Sequence, residues 1–341
     1  MRMDEYYGGW RVVNAQIWYP SQSIDPAGDV ELAPYYYKLA EAARQLPWWT
    51  AQDIRAAQNI ETQSALNAPI RPREKAYPLI LFSPSLGGHT SHYTYYAEAL
   101  AQAGYVVLGV NHLYESMYVQ TEANEIIPAQ LSFHDSLKEL DIPAQISVDE
   151  YRAVKGIRQQ VLGSDLLFAL DQISDLNTTI FNGQIDLQRI GACGHSIGGA
   201  AAISAAYQDA RISAVVNLDG TPPSVALENG IKGPFLFIED LTDYDNHPGY
   251  QKLHQRRNTF CEKVEEASYR ILIANINHDS FLDTNLHFGE SADERMEAQD
   301  NLSQISSYIR RFLDHHLGPS GSPFLRPTQS DSLEILVFPD L

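Results

Sequence analysis

Two cysteines, Cys193 and Cys261, are all that 341 residues contain. That is too few for a disulfide framework, and neither stands in a C-x-x-C or other metal-ligand spacing, so buried, reduced thiols and no metal site are expected. Positive charge is also short: 24 Lys and Arg face 43 Asp and Glu, a net charge of −19. A surface of that sign repels phosphate polyanions and anionic membranes, which sets nucleic-acid binding aside. Long apolar runs are missing. The longest stretch free of charged residues, Ile190 to Gln208, is broken by Gly-His-Ser-Ile-Gly-Gly, which a membrane helix would not carry, so no integral membrane association is expected. The N-terminus, Met1-Arg2-Met3-Asp4-Glu5, lacks an apolar signal core. As given, the sequence reads as cytoplasmic, and as secreted if a signal peptide has been removed.

What the chain does have is alternation. Its 44% hydrophobic, 10% aromatic and 20% charged residues describe a globular protein of one large domain or two ordinary ones. Apolar, β-branched runs at Val12–Tyr19, Leu79–Ser83, Tyr105–Val110, Arg189–Gly194, Ala214–Leu218, Phe235–Glu239 and Tyr269–Ala274 read as buried strands, most of them central and parallel. Helical faces lie between them, such as Tyr93, Tyr96, Ala97, Leu100 and Ala101, or Leu302, Ile305, Ile309, Phe312 and Leu313. Strand and helix in turn imply an α/β fold with a mostly parallel central sheet flanked by helices.

Two segments interrupt this order. The first, residues 31–70, carries Tyr35-Tyr36-Tyr37 and Trp48-Trp49, with Thr50 and Asp53 spaced as a capping box. It is expected to form a small helical cap. Its aromatics pack the cap onto the core, as large aromatics usually do, or contact substrate, the reading in which Trp48 and Trp49 are substrate-binding residues. The second, residues 113–148, is polar and irregular. Gly318-Pro319-Ser320-Gly321-Ser322-Pro323 reads as a linker. It divides a domain of residues 1–316 from a tail, 317–341, whose apolar run Leu333–Phe338 adds an edge strand or packs on the surface.

Chemistry concentrates at Gly194-His195-Ser196-Ile197-Gly198, a match to G-x-S-x-G. A chain of this length holds such a pattern by accident roughly one time in ten, so context decides. Here the pattern directly follows a strand and opens the small-residue helix Ile197–Tyr207. A nucleophile elbow needs both, because only small residues two positions either side of the serine let strand and helix approach closely. A serine hydroxyl is weak until a base takes its proton. His195, beside Ser196, is expected to point into the protein as a packed histidine. His278, in the loop after the strand Tyr269–Ala274, fits the chain order serine, acid, histidine. His287 lies deeper in loop or helix, and for His315 and His316 at a helix end, compensation of the helix dipole is explanation enough. The pattern leaves the acid open between Asp219, at the end of one strand, and Asp240 or Asp243, after the next.

Together the blocks resemble one family. Gly194-His195-Ser196-Ile197-Gly198-Gly199-Ala200, Leu218-Asp219-Gly220 and His278-Asp279-Ser280-Phe281-Leu282-Asp283 resemble the elbow, acid loop and H-x-x-F-x-D block of the platelet-activating factor acetylhydrolase-like branch of the α/β-hydrolases. Tyr77-Pro78-Leu79-Ile80-Leu81-Phe82-Ser83 with Leu86-Gly87-Gly88, and Ile17-Trp18-Tyr19-Pro20, are similar to its oxyanion strand and first strand. The likeness covers about residues 10 to 315. It favours Asp219 as the acid, and it implies an oxyanion hole made by the backbone N–H groups of Leu86 and Ile197. Two blocks depart. Pro84-Ser85 stand where the family usually has His-Gly, and a proline has no N–H to donate. Asn111-His112-Leu113-Tyr114-Glu115 replaces a Glu-His-Arg-Asp run, which removes an arginine near the site.

The resemblance implies a serine esterase in which Ser196 attacks, His278 relays the proton and Asp219 orients it, with no metal or cofactor. The implied substrate is a small-molecule or lipid ester, with a short or oxidised acyl chain on a phospholipid-like or smaller alcohol. A general carboxylesterase, a polyester hydrolase or a peptidase fits the same scaffold. A hydrolase-like binding protein that has lost catalysis is the reading from another class, and the presence of Ser196, Asp219 and His278 argues against it.

Overall fold

The computed structural model describes residues 2–3, 9–22, 31–46, 49–130, 148–241, 248–318 and 324–338. The strands of its main sheet are β1 (Val13–Trp18), β2 (Tyr77–Ser83), β3 (Val106–His112), β4 (Ile185–His195), β5 (Ile212–Leu218), β6 (Phe235–Asp240), β7 (Ser268–Ile273), β8 (Thr328–Gln329) and β9 (Leu333–Phe338), and two short antiparallel pairs, Arg2–Met3 with Trp10–Arg11 and Tyr118–Gln120 with Ile126–Pro128, stand apart from it. Among the described residues β1 to β9 form one nine-stranded sheet in the order β8-β9-β7-β6-β5-β4-β2-β3-β1. From β3 to β7 every pairing is parallel, while β1 on β3, and β9 on β7 and β8, are antiparallel. The fold is therefore α/β with a mostly parallel sheet, as the alternation of elements implies.

A central strand covered on both faces must be apolar on both. β2 meets this requirement: Leu79 and Leu81 enter one core layer and Ile80 and Phe82 the other. On the first face lie α4 (Val148–Thr179), α5 (Ile197–Gln208), α6 (Ser224–Asn229) and α7 (Pro248–Glu262), with Leu162, Leu166, Leu170, Ile203, Ala226 and Phe260 buried. On the other lie α3 (Thr94–Ala103), α8 (Thr284–Phe288) and α9 (Ala292–His316), through Tyr96, Leu100, Leu286, Leu302, Ile309 and Phe312. Ser291 caps α9 by accepting from the Glu294 N–H. α4 and α5 pack so closely that a Cβ on Gly163 would lie 3.0 Å from the Ser204 side chain.

The cap contains α1 (Leu39–Ala42) and α2 (Ala51–Gln58), and the Thr50–Asp53 capping box is formed in both directions. Tyr35, Tyr36, Leu39, Ala42, Leu46 and Ala57 make a small core of its own, shared with Met117 and Tyr118. The tail strand β9 joins the sheet one place in from the edge, with β8 outside it.

Candidate active site

Because β2, β4, β5, β6 and β7 run parallel, their carboxyl ends meet along one rim, the place where an open α/β sheet holds its ligands. Register brings Ser83, Gly194 and Asn217 side by side there. Ser196 follows β4 at φ 58, ψ −122, an unfavourable backbone for a residue with a side chain. Glycine makes the turn possible: a Cβ on Gly194 would stand 2.3 Å from the Gly198 carbonyl oxygen, and one on Gly198 would stand 2.2 Å from that of Ser83. The Ser196 N–H donates to the Leu218 carbonyl at 2.8 Å, pinning the elbow to the neighbouring strand.

The structure brings three of the expected residues together. Ser196 Oγ lies 2.9 Å from His278 Nε2, and His278 Nδ1 lies 2.6 Å from Asp219 Oδ2. His278 is 50% exposed at its side chain and Asp219 11%, so solvent reaches the imidazole while the carboxylate is sheltered. The hydrogen bond to Asp219 raises the His278 pKa above the ordinary imidazole value, against the opposing effect of burial. Asp240 ends β6 and Asp243 lies outside the described residues.

Behind Asp219 stands a chain of alternating charge that no local sequence pattern marks. Arg257, on α7, donates to Asp219 Oδ1 at 3.0 Å and to Glu239 Oε2. Glu239 also accepts from Arg270 Nε at 2.6 Å. Burial pushes the Glu239 carboxyl up, but the two arginines outweigh it and hold it below its usual range. Arg257 thus occupies one carboxylate oxygen of Asp219 and leaves the other to His278. Its positive charge also disfavours the imidazolium. With His278 as the base that the sequence leads one to expect, only its neutral form accepts a proton from Ser196, and activity is expected to fall on the acid side of its pKa. Removing the cation in Arg257→Met is expected to let His278 keep its proton to higher pH, moving the acid limb of kcat/KM upward. A pH profile on p-nitrophenyl acetate checks this, and a downward shift would contradict it.

The turn after β2 packs against the elbow: a Cβ on Gly198 would stand 2.4 Å from the Pro84 carbonyl oxygen. Among the described residues neither the Leu86 nor the Ile197 N–H has an acceptor, which is the condition for two donors waiting on an oxyanion. Gly87 takes φ 71 and donates to the Glu115 carbonyl at 2.8 Å, and the Gly88 carbonyl accepts from Met117 at 2.9 Å. Glu115, in the block that departs from the family, pairs in the interior with Arg158 of α4. Upstream, Ser85 N–H donates to Tyr93 Oη at 3.0 Å, and that oxygen lies 2.8 Å from His195 Nδ1. His195 points into the protein, as its place beside Ser196 implies. Its ring nonetheless lies 4.6 Å, centroid to centroid, from that of His278.

A second serine–histidine–aspartate chain sits below the turn: Ser83 Oγ to His112 Nε2 at 2.8 Å and His112 Nδ1 to Asp165 Oδ2 at 2.9 Å, with Arg11 on the same carboxylate. All four residues are buried. Ser83 is ordinary strand, without elbow or access, so this chain ties β2, β3 and α4 together. Distances alone do not make a nucleophile; exposure and waiting donors do.

Trp48 lies outside the described residues, and Trp49 is half-buried with its ring edge-on to Tyr36 at 5.4 Å. The cap is fastened near the base: Tyr35 donates to Asp283, five residues beyond His278, and Asp283 also accepts from the Tyr95 N–H at 3.0 Å. Burial lifts the Asp283 carboxyl to about 7. A cavity of about 710 Å³ runs along β1 between Trp18, Tyr37, Asn111 and Phe181, but Ser196, His278 and Asp219 are not among its walls. Among the described residues no cluster of His, Cys, Asp or Glu is placed to hold a metal ion, and no helix is long and apolar enough to cross a membrane.

Sheet, elbow and the chain order of Ser196, Asp219 and His278 define the α/β-hydrolase class. A solved structure similar to the whole chain supports the fold: a ferulic acid esterase from Streptomyces cinnamoneus, with TM-score 0.74 and 24% identity, covering 99% of this chain and 92% of that one. The chain belongs to the family described as platelet-activating factor acetylhydrolase, isoform II, which matches residues 3–307. It is 27% identical to the platelet-activating factor acetylhydrolase of Canis lupus familiaris over 65% of this chain and 53% of that protein. To the enzyme of the same name from Cavia porcellus it is 28% identical, over 76% and 62% respectively. A probable 1-alkyl-2-acetylglycerophosphocholine esterase of Arthroderma benhamiae (strain ATCC MYA-4681 / CBS 112371) is 30% identical over 46% of this chain and 34% of its own length. The matched region thus spans between about a third and two thirds of these relatives.

Proposed function

We propose that the chain is a carboxylic ester hydrolase with Ser196 as nucleophile, His278 as general base and acid, and Asp219 as the orienting acid. The observation that carries this is the hydrogen-bonded run Ser196–His278–Asp219 on a strained elbow, packed against a turn, with the Leu86 and Ile197 N–H groups left without an acceptor among the described residues. Ser196 Oγ adds to the ester carbonyl as His278 Nε2 takes its proton, and the N–H groups of Leu86 and Ile197 receive the oxyanion. The imidazolium, held by Asp219, then protonates the leaving alkoxide and an acyl-enzyme remains. Water, deprotonated by His278, cleaves the acyl-enzyme and releases the carboxylic acid. Family membership and the names of the relatives favour a short acyl chain on a phospholipid-like or smaller alcohol.

The cap supplies the proposed wall for the acyl chain, with Trp48 and Trp49 as substrate-binding residues. Each methylene buried there would contribute about 0.8 kcal/mol, so a few would change binding by one or two powers of ten. A panel of p-nitrophenyl esters of increasing chain length, run beside a short-acyl phospholipid, tests both the activity and the wall. Replacing both tryptophans by alanine is expected to raise KM for hexanoate far more than for acetate. An equal shift for the two esters, with lower thermal stability, would make the pair packing residues of the cap.

A further inference from the structure

We propose that Tyr93 and His195 form a positioning unit that fixes the oxyanion turn against the elbow and sets the ring of His278, so that one hydrogen-bonded chain holds both the Leu86 donor and the base. The proposal deepens the esterase reading and rests on it. The first observation is Pro84. With no N–H of its own, it leaves the Ser85 N–H as the first main-chain donor after β2, one residue before Leu86. That donor goes to Tyr93 Oη at 3.0 Å.

The direction of the chain follows from chemistry. An N–H can only donate, so Tyr93 Oη accepts from Ser85 and its single hydrogen is directed to His195 Nδ1, 2.8 Å away. Nδ1 is then the acceptor, and the His195 proton sits on Nε2. Burial agrees with both assignments: it holds the His195 pKa well below the ordinary value, so the ring is neutral, and it raises the Tyr93 phenol, which keeps its proton. Among the described residues His195 Nε2 has no hydrogen-bond partner, and the His278 main chain beside the ring works against the effect of burial. The rings of His195 and His278 meet at 4.6 Å, and Phe281 backs His195 at 5.2 Å.

Two glycines, Gly87 and Gly88, make the turn pliable. Its downstream half is anchored by the Glu115 carbonyl and the Met117 N–H, and its upstream half by Tyr93, itself packed on Phe82 at 4.8 Å. An oxyanion donor must stay within a few tenths of an ångström of the developing charge. A hydroxyl that holds the residue next to that donor therefore acts on the transition state and leaves ground-state binding alone.

The test is Tyr93→Phe, which keeps the ring and removes the hydroxyl. On p-nitrophenyl acetate, kcat is expected to fall about tenfold with KM held, short of the roughly 10²–10³-fold cost of deleting a donor outright. A trifluoromethyl ketone, whose adduct with Ser196 places an oxyanion in the same hole, should bind more weakly by the same factor. His195→Leu should match Tyr93→Phe, the double variant should be no slower than the slower single, and His195→Asn, which restores an acceptor near the Nδ1 position, should recover most of the loss. The proposal is overturned if Tyr93→Phe lowers the melting temperature with kcat and ketone affinity unmoved, or if the two single losses multiply. Labelling of the wild-type chain by a fluorophosphonate separates the two readings. A chain labelled on Ser196 with an unaffected Tyr93→Phe sinks this inference alone, whereas an unlabelled, inactive chain sinks the esterase reading with it.

Discussion

Ser196→Ala is expected to lower kcat on p-nitrophenyl acetate by on the order of 10⁶, with secondary structure and melting temperature retained. The covalent step has no substitute: without Oγ, His278 has no hydroxyl to deprotonate, and water would have to attack from a position the elbow does not prepare. The residual rate would come from the two N–H donors and substrate binding alone. Retention of fold is expected because Ser196 is only partly buried and, among the described residues, its Oγ bonds nothing but His278. Alanine meets the same backbone strain as serine at φ 58. Mass spectrometry after fluorophosphonate treatment gives an independent check, since the adduct should map to Ser196 and vanish in the variant. An adduct on any other residue would move the nucleophile elsewhere.

Asp219→Asn is the second large effect, with kcat lower by on the order of 10⁴. An asparagine can present its amide N–H₂ to His278 Nδ1, which then becomes an acceptor and leaves Nε2 protonated, the wrong tautomer for accepting from Ser196. The imidazolium of the transition state also loses its counter-charge. Arg257 sharpens the effect, because its guanidinium would then face a neutral amide at 3.0 Å in place of a carboxylate. Asp240→Asn is expected to cost far less, and the ranking of the two variants is the measurement. A crippled Asp240→Asn beside an active Asp219→Asn would transfer the acid to the end of β6.

The parts legible in the sequence share a local signature. Leu79, Ile80, Leu81 and Phe82 are unbroken apolar residues because β2 is covered on both faces. Gly194 and Gly198 are legible because a close approach admits no other residue. The strands read from the sequence end within four residues of the observed ends, most of them within one: β4 begins at Ile185, before the apolar run that marks it, and β2 starts at Tyr77-Pro78 beside a register shift in its pairing with β4. What the sequence hid is contact between distant polar atoms. Tyr93 was readable as one apolar member of a helix face, and its ring does pack with Phe82. Its hydroxyl partners, Ser85 and His195, depend on how α3 is laid across the sheet. Arg257 sits in a polar helix with nothing to distinguish it from Arg256, until α7 turns one of them toward Asp219. The acid loop itself was ambiguous by pattern, because β5 and β6 both deliver an aspartate to the same rim.

β9 is made after every residue of the site, yet it pairs with β7 along its whole length, from Ser268↔Phe338 to Ile273↔Leu333. A growing chain can therefore assemble elbow, acid loop and histidine loop while β7 still presents a free row of N–H and C=O groups, a template for any other unfinished strand. Lateral closure of the sheet is in this sense a late event in synthesis, separate from the order in which the chemistry is put together. A nascent chain that stalls before Leu333 would carry all three residues of the proposed triad on a sheet whose flank is open to its neighbours.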